Sequence, residues 1–291
     1  MAVTTAEGAH LTPVRFTSFG GCDIQGFLAT LDDPTTTPAG RDPSGASPAD
    51  APLRPLVVTT HGYNSQTNPV LEARHTAACG ADLFCFDVRG FGLSRTSCPV
   101  DPAGHVVTGI DDPRASILRG AVCDYVRAAQ VARLLGAGGG LTVFQGRSFG
   151  GSLALMAQAI AQDADYLAVS VPTFGWAEGR RRLVKAGSGL EVNHYLARHA
   201  SAEAAVMATL SYFDPVNFAA SVGCASIVGV GLRDDVVPAP TVYAVINHMR
   251  PAPEVFELPV SHTREPEERH WAEFDRHWTA RVAALARQYS S

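Results

Sequence analysis

The chain has 291 residues, of which 46% are hydrophobic and 18% charged, and 23 basic against 28 acidic side chains leave a net charge of −5. That composition belongs to a globular protein able to bury a full core, and it excludes disordered, collagen-like and disulfide-scaffold chains. The densest basic run, Arg180-Arg181-Arg182, reads as a solvated helix face, so nucleic acid is not an expected partner.

The N-terminal residues Met1 to Gly8 carry neither a basic nor an apolar signal region, and no apolar run approaches a membrane span. A soluble, cytoplasmic protein without a membrane partner is expected. The first elements are two alternating segments, Val14 to Phe19 and Ile24 to Leu31, joined through Gly20-Gly21 as an antiparallel hairpin. Prolines then recur among Thr, Ser, Gly and Asp from 33 to 55, a composition that reads as a mobile surface loop.

Beyond that loop the pattern changes to alternating strands and helices. Pro55 to Thr60 and Asp82 to Val88 are continuous apolar runs of strand length, as buried parallel strands require. A helix is predicted from Asp112-Pro113, with Asp as cap and Pro in the first turn, to beyond Leu134. Leu141 to Phe144 predicts a strand, Gly151 to Gln162 a helix and Tyr166 to Val171 a strand. Residues from Trp176 to Tyr212 read as helices only. Strands at Ala225 to Val230 and Val255 to Leu258, a helix around Val242 to His248 and a last helix from about Glu267 to Tyr289 complete the series. This order predicts an α/β fold, a mostly parallel central sheet with an N-terminal antiparallel hairpin, in a single domain over 1–291. The helical interruption, at about 175–212, falls where a cap over the strand ends would sit.

Six cysteines, Cys22, Cys79, Cys85, Cys98, Cys123 and Cys224, show no C-x-x-C spacing and read as buried free thiols rather than metal ligands. No Walker-type loop and no dinucleotide fingerprint occurs, so neither metal nor cofactor is expected. What does carry chemistry is Gly146-Arg147-Ser148-Phe149-Gly150, a G-x-S-x-G motif between a predicted strand and a predicted helix. That context turns the serine onto a sharp strand-to-helix bend that exposes its hydroxyl.

A serine hydroxyl needs a base within hydrogen-bond reach and a third group that fixes the base's tautomer. The order Ser, acid, His is met by Ser148, by Asp234 after the strand 225–230 and by His262 after the strand 255–258. Asp235 competes for the acid role, while His270 and His277 fall within the last helix. Two backbone donors should face the developing oxyanion: the N–H of Phe149, directly after the serine, and that of Tyr63 in the loop His61-Gly62-Tyr63-Asn64. His61, immediately after a buried strand, reads as a loop-organising residue.

These residues carry a resemblance. His61-Gly62-Tyr63-Asn64, Asp87-Val88-Arg89-Gly90-Phe91-Gly92, the segment Leu210 to Ala220 and Gly231-Leu232-Arg233-Asp234 are similar to stretches of the acetyl xylan esterase and cephalosporin C deacetylase family, carbohydrate esterase family seven. The likeness runs from about Val14 onward. It implies an α/β-hydrolase fold, removal of acetyl groups from small oxygen-linked esters, a ring-shaped hexamer, and Asp234 rather than Asp235 as the acid. The chain departs from the family's usual G-G-S-Q-G-G at Arg147 and Phe149, and from the glycines expected after the histidine at Thr263 to Glu267.

The reading is a serine esterase that takes acetyl or short acyl esters of a small carbohydrate or specialised metabolite, a small-molecule substrate, through an acyl-enzyme. An acyltransferase, thioesterase or cyclase using the same three residues is the alternative, and a non-catalytic protein on the same fold is a third.

Overall fold

In the computed structural model residues 3–4, 8–31, 54–262 and 268–289 are described. The expected proline-rich loop therefore lies, up to residue 53, outside the described residues, as do Thr263 to Glu267.

The N-terminal pairing begins with β1 (Val3–Thr4) against β2 (Ala9–Thr17), which pairs antiparallel with β3 (Asp23–Leu31) in the register Val14↔Gly26 and Phe16↔Ile24. The turn between β2 and β3 requires positive φ at Gly20 and Gly21, 72° and 76°, which glycine adopts without a Cβ penalty. β4 (Leu56–Thr60) and β5 (Asp82–Asp87) are buried along their whole length, the reason their sequences are unbroken rather than alternating. Among the described residues the strands form one sheet ordered β1-β2-β3-β5-β4-β6-β7-β8-β9, where β6 is Thr142–Arg147, β7 Tyr166–Ser170, β8 Ala225–Gly231 and β9 Glu254–Leu258. From β4 onward all neighbours are parallel.

Helices cover both faces. Helices α1 (Pro69–Ala77) and α9 (Glu268–Tyr289) meet on one face, while α2 (Ile117–Leu134) packs on α3 (Phe149–Ala161) on the other. Between β7 and β8 the chain runs through α4 (Ala177–Leu183), α5 (Ser188–Arg198), α6 (Glu203–Tyr212) and the short α7 (Val216–Ala219), and α8 (Ala239–Ile246) leads to β9. The chain steps from β4 to β5 on one side and returns to β6 on the other. The crevice at such a reversal, beyond the carboxyl ends of the strands, is where open α/β sheets place their ligands.

One helix start is corrected. Asp112 does not cap α2: its carboxylate accepts from the Arg114 N–H at 2.8 Å and its carbonyl closes a turn to Ser116 at 2.9 Å. The helix begins at Ile117, with the Ser116 hydroxyl accepting from the Leu118 N–H. An Asp-Pro pair satisfies its own turn as readily as a helix end, so the cap passed to the next small polar residue. All six cysteines are free, but only Cys22, Cys79 and Cys85 are buried. Among the described residues no helix is long and apolar enough to cross a membrane.

Candidate active site

β6 runs straight into α3 through Ser148, which holds φ 56° and ψ −114°. A non-glycine residue there carries strain of about 1–3 kcal/mol, which the surroundings must enforce. They do so by backbone bonds: the Ser148 N–H donates to the Ser170 carbonyl at 2.9 Å, and its own carbonyl accepts from the Ser152 N–H at 3.1 Å. The flanking glycines follow from the same closeness. A Cβ on Gly146 would lie 2.4 Å from the Gly150 carbonyl, and one on Gly150 would lie 2.5 Å from the Thr60 carbonyl oxygen. The motif's glycines are there because strand, turn and helix touch.

The acid and the imidazole arrive from the ends of β8 and β9. Backbone bonds from Leu232 and Arg233 to the Leu258 and Val260 carbonyls tie these two loops together. Asp234 is fully buried at its side chain: one carboxylate oxygen accepts from the N–H groups of Val236 and Val237, both at 2.8 Å, and the other accepts from His262 Nδ1 at 2.7 Å. With Nδ1 as donor, His262 Nε2 is the acceptor, and it faces Ser148 Oγ at 3.0 Å. Ser148, His262 and Asp234 are thus brought into one hydrogen-bonded chain. It is Asp234, not Asp235, whose carboxylate meets the imidazole; the backbone carbonyl of Asp235 accepts from the Lys185 N–H. His270 and His277 lie on exposed faces of α9, His277 against Glu254 at 2.7 Å.

The loop after β4 lies beside the serine. His61 organises it as expected: buried, it donates through Nδ1 to the Gly62 carbonyl at 2.7 Å and accepts the Val88 N–H on Nε2 at 3.1 Å. Burial holds its imidazole below the usual histidine range and so neutral, as that bonding requires. Asp87 pins the same loop from below, accepting from the N–H groups of Thr67 and Leu93, both at 2.7 Å. Phe149 is the first residue of α3, so its N–H is one of the four that have no partner inside the helix. Tyr63 sits on the opposite wall, its ring edge-on to Phe91, Phe149 and His105 at 5.5, 5.6 and 5.9 Å.

A cavity of about 380 Å³ opens over the serine, lined by Tyr63, Asn64, Arg147, Ser148, Thr173, Ser188, Val236 and His262 among others. That volume suits a small ligand. A second cavity of about 320 Å³, between α1 and α9, shares Gly62, Ser65 and Arg147 with the first. Arg147 stands between the two, its guanidinium over the Trp271 ring at 5.0 Å and bonded to Asp275 and Ser170 Oγ. Within the second cavity burial and Asp275 push the Glu72 carboxyl up to about 7, against the opposing pull of Arg147.

A sequence model of the acetyl xylan esterase (AXE1) family matches residues 46–286. The chain belongs to the acetyl xylan esterase family. Among solved structures it is similar to an acetyl xylan esterase from Paenibacillus sp. R4, with TM-score 0.79 and 23% identity over 95% of this chain and 87% of that one. Acetyl xylan esterase 1 from Thermoanaerobacterium sp. JW/SL YS485 gives 0.77 and 19%, over 97% and 87%. A cold-adapted esterase from an Arctic intertidal metagenomic library gives 0.61 and 14%, over 96% and 97%. These likenesses carry the α/β-hydrolase fold, and with family membership the chain is a serine carboxylic ester hydrolase acting on acetyl esters.

In this member of the family, the surroundings of the serine hold residues that sequence reasoning missed. The run Arg180-Arg181-Arg182 is not a solvated face: Arg180 is buried, Arg181 half-buried and only Arg182 exposed. Successive helical residues point about 100° apart, so a run of three cannot share one face. The Arg180 guanidinium is buried over the Phe174 ring at 5.1 Å and donates to Ser188 Oγ at 2.8 Å, and burial pushes it down to about 10. Asp214 accepts from the N–H groups of Trp176 and Ala177 at 3.0 and 2.9 Å and so caps α4 from 37 residues further along the chain. Phe149 is fully buried, so of the two rings beside the serine it is Tyr63 that reaches the cavity. Glu191, which bonds the Tyr63 hydroxyl from 128 residues away, had no signal in the sequence.

Proposed function

We propose that this member of the acetyl xylan esterase family cleaves acetyl and other short acyl esters of a small carbohydrate or specialised metabolite through an acyl-enzyme on Ser148. The observation that carries the reading is Ser148 Oγ at 3.0 Å from His262 Nε2, with Asp234 at 2.7 Å on the other ring nitrogen, beneath a cavity of about 380 Å³.

In the first half-reaction His262 Nε2 takes the Ser148 proton as Oγ bonds the ester carbonyl carbon. The carbonyl oxygen becomes an oxyanion held by the N–H groups of Phe149 and Tyr63, and Asp234 keeps Nδ1 protonated and stabilises the imidazolium. Collapse breaks the bond to the alcohol, which leaves with the proton from Nε2. Water then repeats the sequence on the acyl-serine and releases the acid. No metal or cofactor enters these steps.

Helices α4 to α6 serve in this reading as a cap of one α/β-hydrolase domain, closing the side of the cavity where Gly187 and Ser188 stand. A cytoplasmic enzyme is supported by six free thiols, and the resemblance to cephalosporin C deacetylases extends the substrate range to acetylated metabolites. Exposed Leu134, Leu135 and Ile160 are apolar surface that a homo-oligomer, a hexamer by the same resemblance, would cover.

The test is a series of p-nitrophenyl esters of rising acyl length. With Tyr63 on the wall, acetyl should be cleaved faster than butyryl, each extra methylene costing about 1–3 kcal/mol of pocket fit. A butyryl preference, or transfer of the acyl group to added alcohols in place of hydrolysis, would contradict it.

A further inference from the structure

Tyr63 is held at both ends. Its backbone belongs to the loop beside Ser148, and its hydroxyl donates to Glu191 Oε2 at 2.6 Å and accepts the Val106 N–H at 2.8 Å. Glu191 lies in α5, one turn beyond Ser188, which lines the cavity. Its seat is close: a Cβ on Gly104, which holds φ 145°, would come within 2.1 Å of Glu191 Oε2, so a larger residue there would displace the carboxylate from its place beside Tyr63. Arg180, buried in α4, places its positive charge near both groups. The phenol is pushed far above its usual range by burial first and by Glu191 second, so it stays a donor at every working pH.

A phenol ring is rigid. Fixing its hydroxyl and setting its ring in T-shaped contact with Phe91, His105 and Phe149 leaves the side chain one orientation, and the Cα and N–H of the same residue follow. An oxyanion donor has to lie within about 2.7–3.1 Å of where the charge develops, and an error of about an ångström can cost about a hundredfold in rate. His61 and Asp87 hold the loop from below. Over the serine, the Tyr63 side chain is its tether.

We propose that Glu191 is a positioning residue: by holding the Tyr63 hydroxyl it fixes the Tyr63 backbone N–H against the developing oxyanion, so that α5 contributes to transition-state stabilisation without touching substrate. The inference rests on the reading of that N–H as the second oxyanion donor.

The test is a double-mutant cycle on the full chain, with kcat and KM for p-nitrophenyl acetate. Glu191→Ala should lower kcat by about ten- to a hundredfold with KM within about twofold, because the interaction is realised in the transition state. Glu191→Gln keeps an acceptor oxygen and should stay within about fivefold of the parent. Tyr63→Phe should lose about as much as Glu191→Ala, and the double variant no more than about twofold beyond the worse single one, since both cut the same link. Losses that multiply in the double variant, a loss carried by KM, or a glutamine variant as damaged as the alanine would each overturn the proposal. Should Glu191→Ala not fold, Tyr63→Phe alone decides: unchanged kcat refutes the tether. A parent enzyme that cleaves no acetyl ester would instead fail the functional reading, which separates the two.

Discussion

Replacing Asp234 by asparagine changes one atom and leaves the shape, so its effect can be worked out from the hydrogen bonds alone. The amide can take two orientations. If its oxygen faces His262, its NH2 points at the N–H groups of Val236 and Val237, which are left with no acceptor: one buried and one part-buried donor go unpaired at about 1–3 kcal/mol each, about 2–6 kcal/mol together. If the oxygen stays with Val236 and Val237, the NH2 faces His262 Nδ1 and every group is satisfied, provided that the imidazole carries its proton on Nε2 instead. The second orientation wins. Nε2 then presents a proton to Ser148 Oγ across the 3.0 Å contact and cannot accept one. A neutral ring in the wrong tautomer lowers the rate by about 10⁴-fold in a related triad, equivalent to about 5 kcal/mol of barrier. Asp235→Asn, beside it in sequence but outside this chain of bonds, should stay within about threefold. The assay is kcat/KM on p-nitrophenyl acetate for both variants, with the thermal midpoint measured to show that each is folded. Equal effects at the two positions, or Asp234→Asn retaining more than about a tenth of the parent rate, would refute the tautomer argument.

Stability should fall with rising pH because of Glu72. Its folded value of about 7 stands above the ordinary 4.5, so the folded state binds more protons between these values. That makes the protein lose up to roughly 3 kcal/mol from about pH 4.5 to about 7, and Glu72→Gln should remove this slope and melt higher than the parent at about pH 8. Denaturant melts at several pH values check it, and an identical pH dependence in the variant would contradict it. Gly146→Ala forces a Cβ to 2.4 Å from the Gly150 backbone. Since backbone cannot step aside as a side chain can, it should cost about 1–3 kcal/mol and at least about tenfold in activity by displacing the serine turn; calorimetry and the same ester assay report both.

What the sequence made legible was whatever depends on neighbours in the chain. The apolar runs of β4 and β5 announced buried parallel strands, and Gly146 to Gly150 announced the turn at Ser148, because burial and close approach restrict residue type locally. Assigning Asp234 over Asp235 needed the family resemblance, since adjacent carboxylates in one loop look alike until a partner selects one. Asp112 failed as a helix cap because its side chain could close its own turn. Arg180 failed because a charge run was read as a face when helical geometry divides it. Least legible was the bond from Tyr63 to Glu191, made across 128 residues by the packing of α5 against the loop after β4. No spacing rule spans such a distance.

The central claim is that Ser148 is the nucleophile, and the most direct measurement is intact-protein mass spectrometry after treatment with a serine-directed fluorophosphonate. The parent chain should gain a single phosphonyl adduct, and peptide mapping should place it on Ser148. Ser148→Ala, folded by circular dichroism, should gain none and hydrolyse p-nitrophenyl acetate several orders of magnitude more slowly. An unlabelled parent enzyme that still cleaves the ester, or an alanine variant that keeps both adduct and activity, would contradict the account.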